Sequence, residues 1–313
     1  MKRLTSDAPV PAHLRGAIMA LGNFDGFHAG HQAVVARAIA RARAEGRPAI
    51  VATFDPHPVR LLRPDTPWFR LTTLDQRQAL FQAAGADAML VFAFNPAMAS
   101  MRAEEFAAFL VHDMGAAGVV TGQDFTFGQA KSGNAATLAQ LGAALGMIAE
   151  AVPAVTDVSG DVVSSSRIRD ALRAGDCDTA TRLLTRPFAI QGMVQHGDKL
   201  GRTIGFPTAN IDMGPYLRPA YGIYAVRGIL PDGRVLDGAA NLGIRPSFDP
   251  PKELLEPHFF DFAESLYGQV IEVQLIRYLH AERKYDGLDA LMAGIAQDCV
   301  DARQILAGTP RLA

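Results

Sequence analysis

Through the first half of the chain, short uninterrupted apolar runs alternate with stretches of helical period. Ala17 to Leu21, Ala49 to Phe54, Ala88 to Phe94 and Gly118 to Thr121 read as strands; Gln32 to Ala44, Leu74 to Ala84, Ala103 to Met114 and Thr137 to Leu145 read as the helices that follow them. That order predicts a parallel α/β sheet. Met147 to Val152 adds a strand, Ser164-Ser165-Ser166 offers an N-cap for a helix through Arg173, and a Gly175-Asp176 turn leads to another short helix ending near Leu184.

After Arg186-Pro187 the pattern changes. Phe188 to Gln195, Gly222 to Leu230, Val235 to Leu242, Leu255 to Phe262 and Val270 to Tyr278 are β-like runs broken by Gly, Pro and Asp, with a hairpin-type Pro231-Asp232-Gly233 between two of them. This spacing predicts a small antiparallel barrel or sandwich, closed by a helix from Leu288 to Leu306. The expected boundary lies at residue 186, giving domains 1–186 and 187–313. A chain of 313 residues supports two cores.

Composition narrows the partners. A net charge of −2 excludes a protein built to coat nucleic acid or an anionic membrane, so any phosphate site is local. Cys177 and Cys299 stand far apart, outside any C-x-x-C spacing, which argues against a disulfide framework and for a reducing, cytoplasmic setting. Ser6, Asp7, Pro9 and Pro11 interrupt any apolar leader behind Lys2 and Arg3, and no stretch reaches 18 uninterrupted apolar residues; neither secretion nor membrane insertion is expected. Nothing in the sequence announces an obligate protein partner.

Two segments carry chemistry. The first is Gly22-Asn23-Phe24-Asp25-Gly26-Phe27-His28-Ala29-Gly30-His31, where a buried strand gives way to a helix expected to start near His31. Glycines let the backbone turn and approach a ligand, the helix start attracts phosphate, and His28 and His31 add donors. Zinc is an alternative, but only Asp25 lies near as a third ligand, where three or four are wanted. Among the remaining candidates, His57 lies between two prolines and lines a pocket or stacks in a rigid loop; Arg37, Arg41, Arg43 and Arg47 read as a solvated helix face. The second segment is His196 to Asn210, whose Gly201, Arg202 and Gly205 suit phosphate, and whose Thr208 and Asn210 offer neutral oxygens to Mg²⁺. A hydroxyl attacking a γ-phosphate must lose its proton, and a carboxylate near the metal would take it. Neither segment is a P-loop.

The His28-x-x-His31 loop resembles that of the nucleotidylyltransferases. Together with Phe54-Asp55-Pro56-His57-Pro58, Thr121 to Gly128, Val163 to Arg169, the Gly205 to Asn210 run, Asn241 to Phe248 and Leu255 to Phe262, it resembles the prokaryotic bifunctional riboflavin kinase/FAD synthetase family from about Gly16 to Arg303. The resemblance implies a Rossmann-like α/β nucleotidylyltransferase domain followed by an antiparallel β-barrel flavokinase domain with a C-terminal helix. It implies phosphorylation of riboflavin and adenylylation of FMN to FAD, with ATP as substrate in both, Mg²⁺ as the divalent ion, and the flavins as substrate and product, not as redox cofactors. By the same resemblance His28 and His31 are catalytic at the first site and Glu256 at the second; Gly22, Asn23, Asp25, Gly30, Ser165, Arg167, Gly201, Arg202 and Gly205 hold ATP or its phosphates; Asp55, His57, Asp124, Phe125 and Arg245 face the flavin; Thr208 and Asn210 hold the metal. An adenylyltransferase for another phosphate monoester and a flavin binder without turnover are the competing readings. Three residues depart from the family pattern: Ser166 for threonine, Thr185 for glycine, and Pro257 for valine. Proline is expected to confine its position to an edge or a strand start.

Overall fold

A computed structural model describes residues 1–197, 201, 204–245 and 252–311. They form two compact units, Met1–Pro67 with Leu74–Ser164, and Trp68–Thr73 with Ser165–Ala313.

In the first unit, strands β1 (Lys2–Thr5), β2 (Ala17–Leu21), β3 (Ala49–Asp55), β4 (Ala88–Ala93), β5 (Ala116–Gly122) and β8 (Ile148–Val152) build one sheet in the order β1-β4-β3-β2-β5-β8. Every pairing in it is parallel. A hairpin of β6 (Thr126–Phe127) and β7 (Gly133–Asn134) stands apart. Helices α1 (Ala29–Ala44) and α3 (Leu74–Ala83) supply the core on one face; α5 (Ala103–His112) and α6 (Ala135–Ala144) supply it on the other. Along β2, Met19 and Leu21 enter one core while Ile18 and Ala20 enter the other. Burial on both faces is why the strand reads as an unbroken apolar run. Short helices α2 (Pro58–Leu62) and α4 (Pro96–Ser100) complete the unit. Strand β1, in the charged sequence Lys-Arg-Leu-Thr, lies outside the predicted elements; as an edge strand it buries only Leu4 and shows no apolar run.

The second unit opens with α7 (Ser165–Arg173) and α8 (Cys177–Leu184). It continues with β9 (Phe188–Gln195), β10 (Asn210–Asp212), β11 (Gly222–Ile229), β12 (Val235–Arg245), β13 (Lys252–Phe259) and β14 (Val270–His280), an antiparallel barrel closed in the order β10-β13-β12-β11-β14-β9. The barrel, not the sandwich, is therefore formed. The predicted set lacked β10, whose three residues are too few to show a period, and β10 is the strand that closes the ring. A last helix, α9 (Leu288–Gly308), lays Ala302 and Leu306 against Ala225, Ala239 and Ile276. α8 packs on β9 and β14, and α7 and α8 fall in the second compact unit.

Thr185 caps α8 in the left-handed conformation, φ 63°, a backbone that a β-branched residue tolerates poorly and glycine adopts freely. Pro257 sits within β13, a strand paired on both sides, instead of at an edge or a strand start. Its carbonyl accepts from Ala209 N–H at 2.9 Å, on the flank where β10 begins only at Asn210. Because the N–H and C=O of a strand residue face the same side, the proline's missing N–H lies on that flank, beyond the end of β10, and the ladder to β12 loses nothing.

Candidate active sites

In an open parallel sheet, ligands bind past the carboxyl ends of the strands where the chain order reverses. Here β2 lies between β3 and β5, and the loop from Gly22 to His28 leaves the carboxyl end of β2. His28 is the N-cap of α1; its Nδ1 accepts from His31 N–H at 3.4 Å, so the helix begins at Ala29, two residues before the expected start at His31. Histidine here does what Ser or Asp more commonly does, so no usual cap residue marks the helix start in the sequence. The two imidazoles stack with centroids 3.6 Å apart, and the ring of Phe24 meets His31 edge-on. Gly30 makes room for this stack, since a Cβ there would stand 3.1 Å from His28 Cε1; at Gly22 a Cβ would stand 3.1 Å from the Phe24 ring. Asp25 and His28 are buried, at 3 % and 6 % exposure. A helix N-terminus with two histidines in its first turn can neutralise phosphate.

The carboxyl ends of the flanking strands hold other predicted residues. Asp55 ends β3, and His57, N-cap of α2, accepts from Val59 N–H at 3.2 Å. Asp124 follows β5 in a turn where its carboxylate would contact any Cβ at Gly122, at 2.8 Å, and the Phe125 ring stacks on Phe127. Asn23 stands at the start of the loop; its carbonyl accepts from Thr53 Oγ1 at 2.8 Å and from Arg77 Nη1 at 3.0 Å. Thr53 and Arg77 were not among the sequence candidates, because nothing local marks them. Ser165 and Arg167 lie on α7, in the second unit. Arg169 is more than a surface charge: its Nε donates to Phe69 O at 2.9 Å and its guanidinium lies over the Phe69 ring. Among the described residues, no group of three or more His, Cys, Asp or Glu could hold a metal ion.

In the barrel, the β10 to β13 pairing of Ile211 with Leu255 and the Ala209 to Pro257 bond carry a continuous register that sets Asn210 opposite Glu256. On the other flank of β13, Glu256 pairs with Asn241. Three neighbouring strands thus present Asn210, Glu256 and Asn241 in one row across one face. Asn210 is buried, and Gly197 is needed beside it, since a Cβ would come within 2.6 Å of the Asn210 amide nitrogen. Asn241 donates through Nδ2 to Glu282 at 2.9 Å, and its Oδ1 is buried with no hydrogen-bond partner among the described residues. Asn241 entered the sequence reading only as the first residue of the Asn241 to Phe248 run, and Glu282 not at all; cross-strand register sets Asn241 beside Glu256, and Asn241 in turn holds Glu282.

Thr208 lies two residues before Asn210 and lines a cavity of about 440 Å³ with Val194, Phe259, Phe262, Leu266 and Tyr267. Phe206 N–H donates to Gly201 O at 2.7 Å, and a Cβ at Gly201 would collide with the Phe206 carbonyl. Gly205 is left-handed, φ 88°. The tight turn that these glycines permit delivers Thr208 to the cavity. Arg202 lies outside the described residues, as does the side chain of Arg245, whose backbone ends β12 opposite Lys252. Neither cysteine is bonded; burial pushes the Cys177 thiol up to about 12 and the Cys299 thiol up to about 11, so both remain protonated near neutrality.

Comparison with known proteins gives each half of the chain a counterpart. A family model described as FAD synthetase matches residues 10–167, and one described as riboflavin kinase matches residues 184–306. A bifunctional riboflavin kinase/FMN adenylyltransferase of Pseudomonas fluorescens is 39 % identical over 299 residues, 95 % of each chain. This chain belongs to that family. Members from Escherichia coli K12 and Bacillus subtilis 168 are each 36 % identical, covering 92 % and 91 % of both chains respectively. A crystal structure of a protein described as a macrolide-efflux protein, from Streptococcus pneumoniae, shares the fold with a TM-score of 0.86 at 29 % identity, over 99 % of this chain and 100 % of that one. Among the described residues, no helix is long and apolar enough to cross a membrane. The arrangement of a parallel α/β sheet followed by a closed barrel and a terminal helix is thus the fold expected of the riboflavin kinase/FMN adenylyltransferase family.

Proposed function

We infer that this chain phosphorylates riboflavin with ATP to FMN and adenylylates FMN with a second ATP to FAD, releasing pyrophosphate. The observation that carries this is the presence of both family models, end to end, in one chain. We assign adenylylation to residues 1–186 and phosphorylation to residues 187–313, and a cytoplasmic location to the enzyme.

At the first site, an oxygen of the FMN phosphate forms a bond to the α-phosphorus of ATP as the bond from that phosphorus to the bridging oxygen breaks and pyrophosphate leaves. The attacking group is already anionic, so positioning and charge stabilisation suffice and no base is required. His28, His31 and the amino end of α1 stabilise the phosphates; Gly22 and Gly30 give them room; Asn23 and Asp25 orient the nucleotide; Ser165 and Arg167 grip phosphate. Asp55, His57, Asp124 and Phe125 face the flavin.

At the second site, the ribityl hydroxyl gives its proton to Glu256 as its oxygen bonds to the γ-phosphorus, and the bond to the β–γ bridging oxygen breaks to release ADP. Gly201, Arg202 and Gly205 wrap the phosphates and Arg245 contacts the flavin. Both steps are assigned Mg²⁺. Thr208 and Asn210 suit it at the second site: they are neutral oxygen donors two residues apart, beside a carboxylate, and Mg²⁺ in such sites takes few protein ligands and relies on substrate phosphates. When bound, the ion draws charge from the phosphates being separated. The 440 Å³ cavity beside Thr208 holds a ring system of one substrate.

A chromatographic time course with riboflavin, ATP and Mg²⁺ tests the reading. The wild type is expected to make FMN and then FAD, His28→Ala to stop at FMN, and Glu256→Gln to make FAD only from supplied FMN. Riboflavin and FMN both left unchanged by the wild type would refute it; FMN bound without pyrophosphate release would mark the first unit as a binder.

A further inference from the structure

The loop between β2 and α1 holds a backbone that costs energy. Phe24 at φ 49°, Gly26 at φ 87° and Phe27 at φ 44° are all left-handed. For the two phenylalanines that conformation is strained, because Cβ crowds the following carbonyl, so the surroundings must hold them there. Helix α3 does so with two side chains one turn apart on the same face. The rings of Phe24 and Phe27, both buried, meet Phe81 edge-on at 5.8 and 5.1 Å. Four residues earlier, Arg77 donates through Nη1 to the Asn23 carbonyl at 3.0 Å and to Thr53 Oγ1 at 2.8 Å, while Thr53 Oγ1 donates to the same carbonyl at 2.8 Å.

Arg77 is 3 % exposed and Thr53 fully buried. Burying a guanidinium is expensive and is repaid only by good hydrogen bonds. Part of this one is spent on a main-chain carbonyl at the mouth of the strained loop. In a planar trans peptide the carbonyl and the next N–H point opposite ways. Drawing the Asn23 carbonyl toward α3 therefore turns the Phe24 N–H away from it, and fixes the orientation in which the chain enters the His28 cap.

We propose that Arg77, acting with Thr53, is a positioning residue for adenylyl transfer: it sets the backbone of the Gly22–His31 loop that binds the ATP phosphates, without touching substrate. This rests on reading the first unit as the FMN adenylyltransferase. Because the loop geometry is needed most in the transition state, its loss falls on kcat more than on KM.

The test uses the full chain, with pyrophosphate release from FMN and ATP as one readout and riboflavin phosphorylation as the other. Arg77→Met is expected to lower kcat for adenylylation at least tenfold with the KM for FMN changed less than threefold and the kinase rate unchanged. Arg77→Lys, whose ammonium can still reach the Asn23 carbonyl and Thr53, recovers most of that loss. Thr53→Val, equal in shape but lacking the hydroxyl, gives an intermediate loss and decides the matter should Arg77→Met fail to fold. Wild-type kcat in Arg77→Met, or in Thr53→Val if it alone folds, overturns the inference, as does a loss carried wholly by KM or one that lysine does not relieve. A wild type that phosphorylates riboflavin but does not adenylylate FMN overturns the underlying reading and this inference with it, whereas an active wild type with an unaffected Arg77→Met overturns only the positioning role.

Discussion

Arg227 joins the end of α9 to the barrel, and its removal has a consequence that can be worked from the contacts. The side chain leaves β11 at 3 % exposure and spends its donors on main-chain carbonyls: Nη1 on Pro310 at 2.8 Å, Nη2 on Leu306 at 3.0 Å and Thr309 at 2.6 Å, with Nε on Asp237 at 3.2 Å. The carbonyl end of a helix carries partial negative charge, so the cation caps α9 as it closes its ion pair. Arg227→Met keeps the length and apolar stem but strands these acceptors. Breaking a buried pair costs about 3–5 kcal/mol. Two features place this case at the lower end: Pro310 is exposed, so its carbonyl can rehydrate, and Asp237 keeps Arg311 at 3.4 Å. The expected loss is thus about 3 kcal/mol, or roughly 6–12 °C in Tm for a unit of this size. Trp68, the single tryptophan, lies in the second unit, so its fluorescence in a denaturant titration follows the barrel's unit. Arg227→Lys, with one ammonium for acceptors spread in several directions, should lose about half as much, roughly 1–2 kcal/mol. A loss under about 1 kcal/mol in Arg227→Met would refute the reasoning, since the stranded carbonyls would then have found other partners at no cost.

Thr185→Gly should stabilise the second unit by about 0.5–1 kcal/mol, because removing the left-handed strain outweighs the added freedom of the unfolded glycine; the same fluorescence titration reads it. Gly201→Ala should lower riboflavin kinase activity at least tenfold and leave FMN adenylylation intact, because the new methyl collides with the Phe206 carbonyl and moves the turn that delivers Thr208. Asp176, N-cap of α8, accepts from Thr179 N–H at 2.9 Å, and that bond holds its carboxyl below the usual range. A depressed folded value means the stabilisation is complete above the unfolded pKa, about 3.9, and is lost as pH falls through the folded one. Asp176→Asn should therefore weaken the acid dependence of stability below about pH 4, as followed by denaturant midpoints across pH.

Most of the α/β unit was legible because its central strands β2, β3, β4 and β5 are buried on both faces and its helices on one, so each of these elements writes its own period into the chain. The boundaries of β9 and the start of α9 fall where the pattern put them. What escaped was short or edge-placed: β1 carries one buried side chain and β10 has three residues. The start of α1 was displaced because a histidine cap carries no Ser or Asp signal.

At the sites, the sequence alone determined which residue types are present and their local spacing: two histidines three apart at a strand-to-helix junction, a Pro-Thr-x-Asn run after a glycine-rich loop, and a glutamate on a β-like segment. The tertiary structure decided what stands beside them. Register, which no period encodes, sets Asn210 and Asn241 on either side of Glu256, and packing brings Arg77 from 54 positions away to the Asn23 carbonyl. It also decided that Pro257 is harmless to the ladder, because the flank it faces lies past the end of β10. Local interactions repeat along the chain and leave a pattern in it; contacts between distant segments depend on how the strands align, and they leave none.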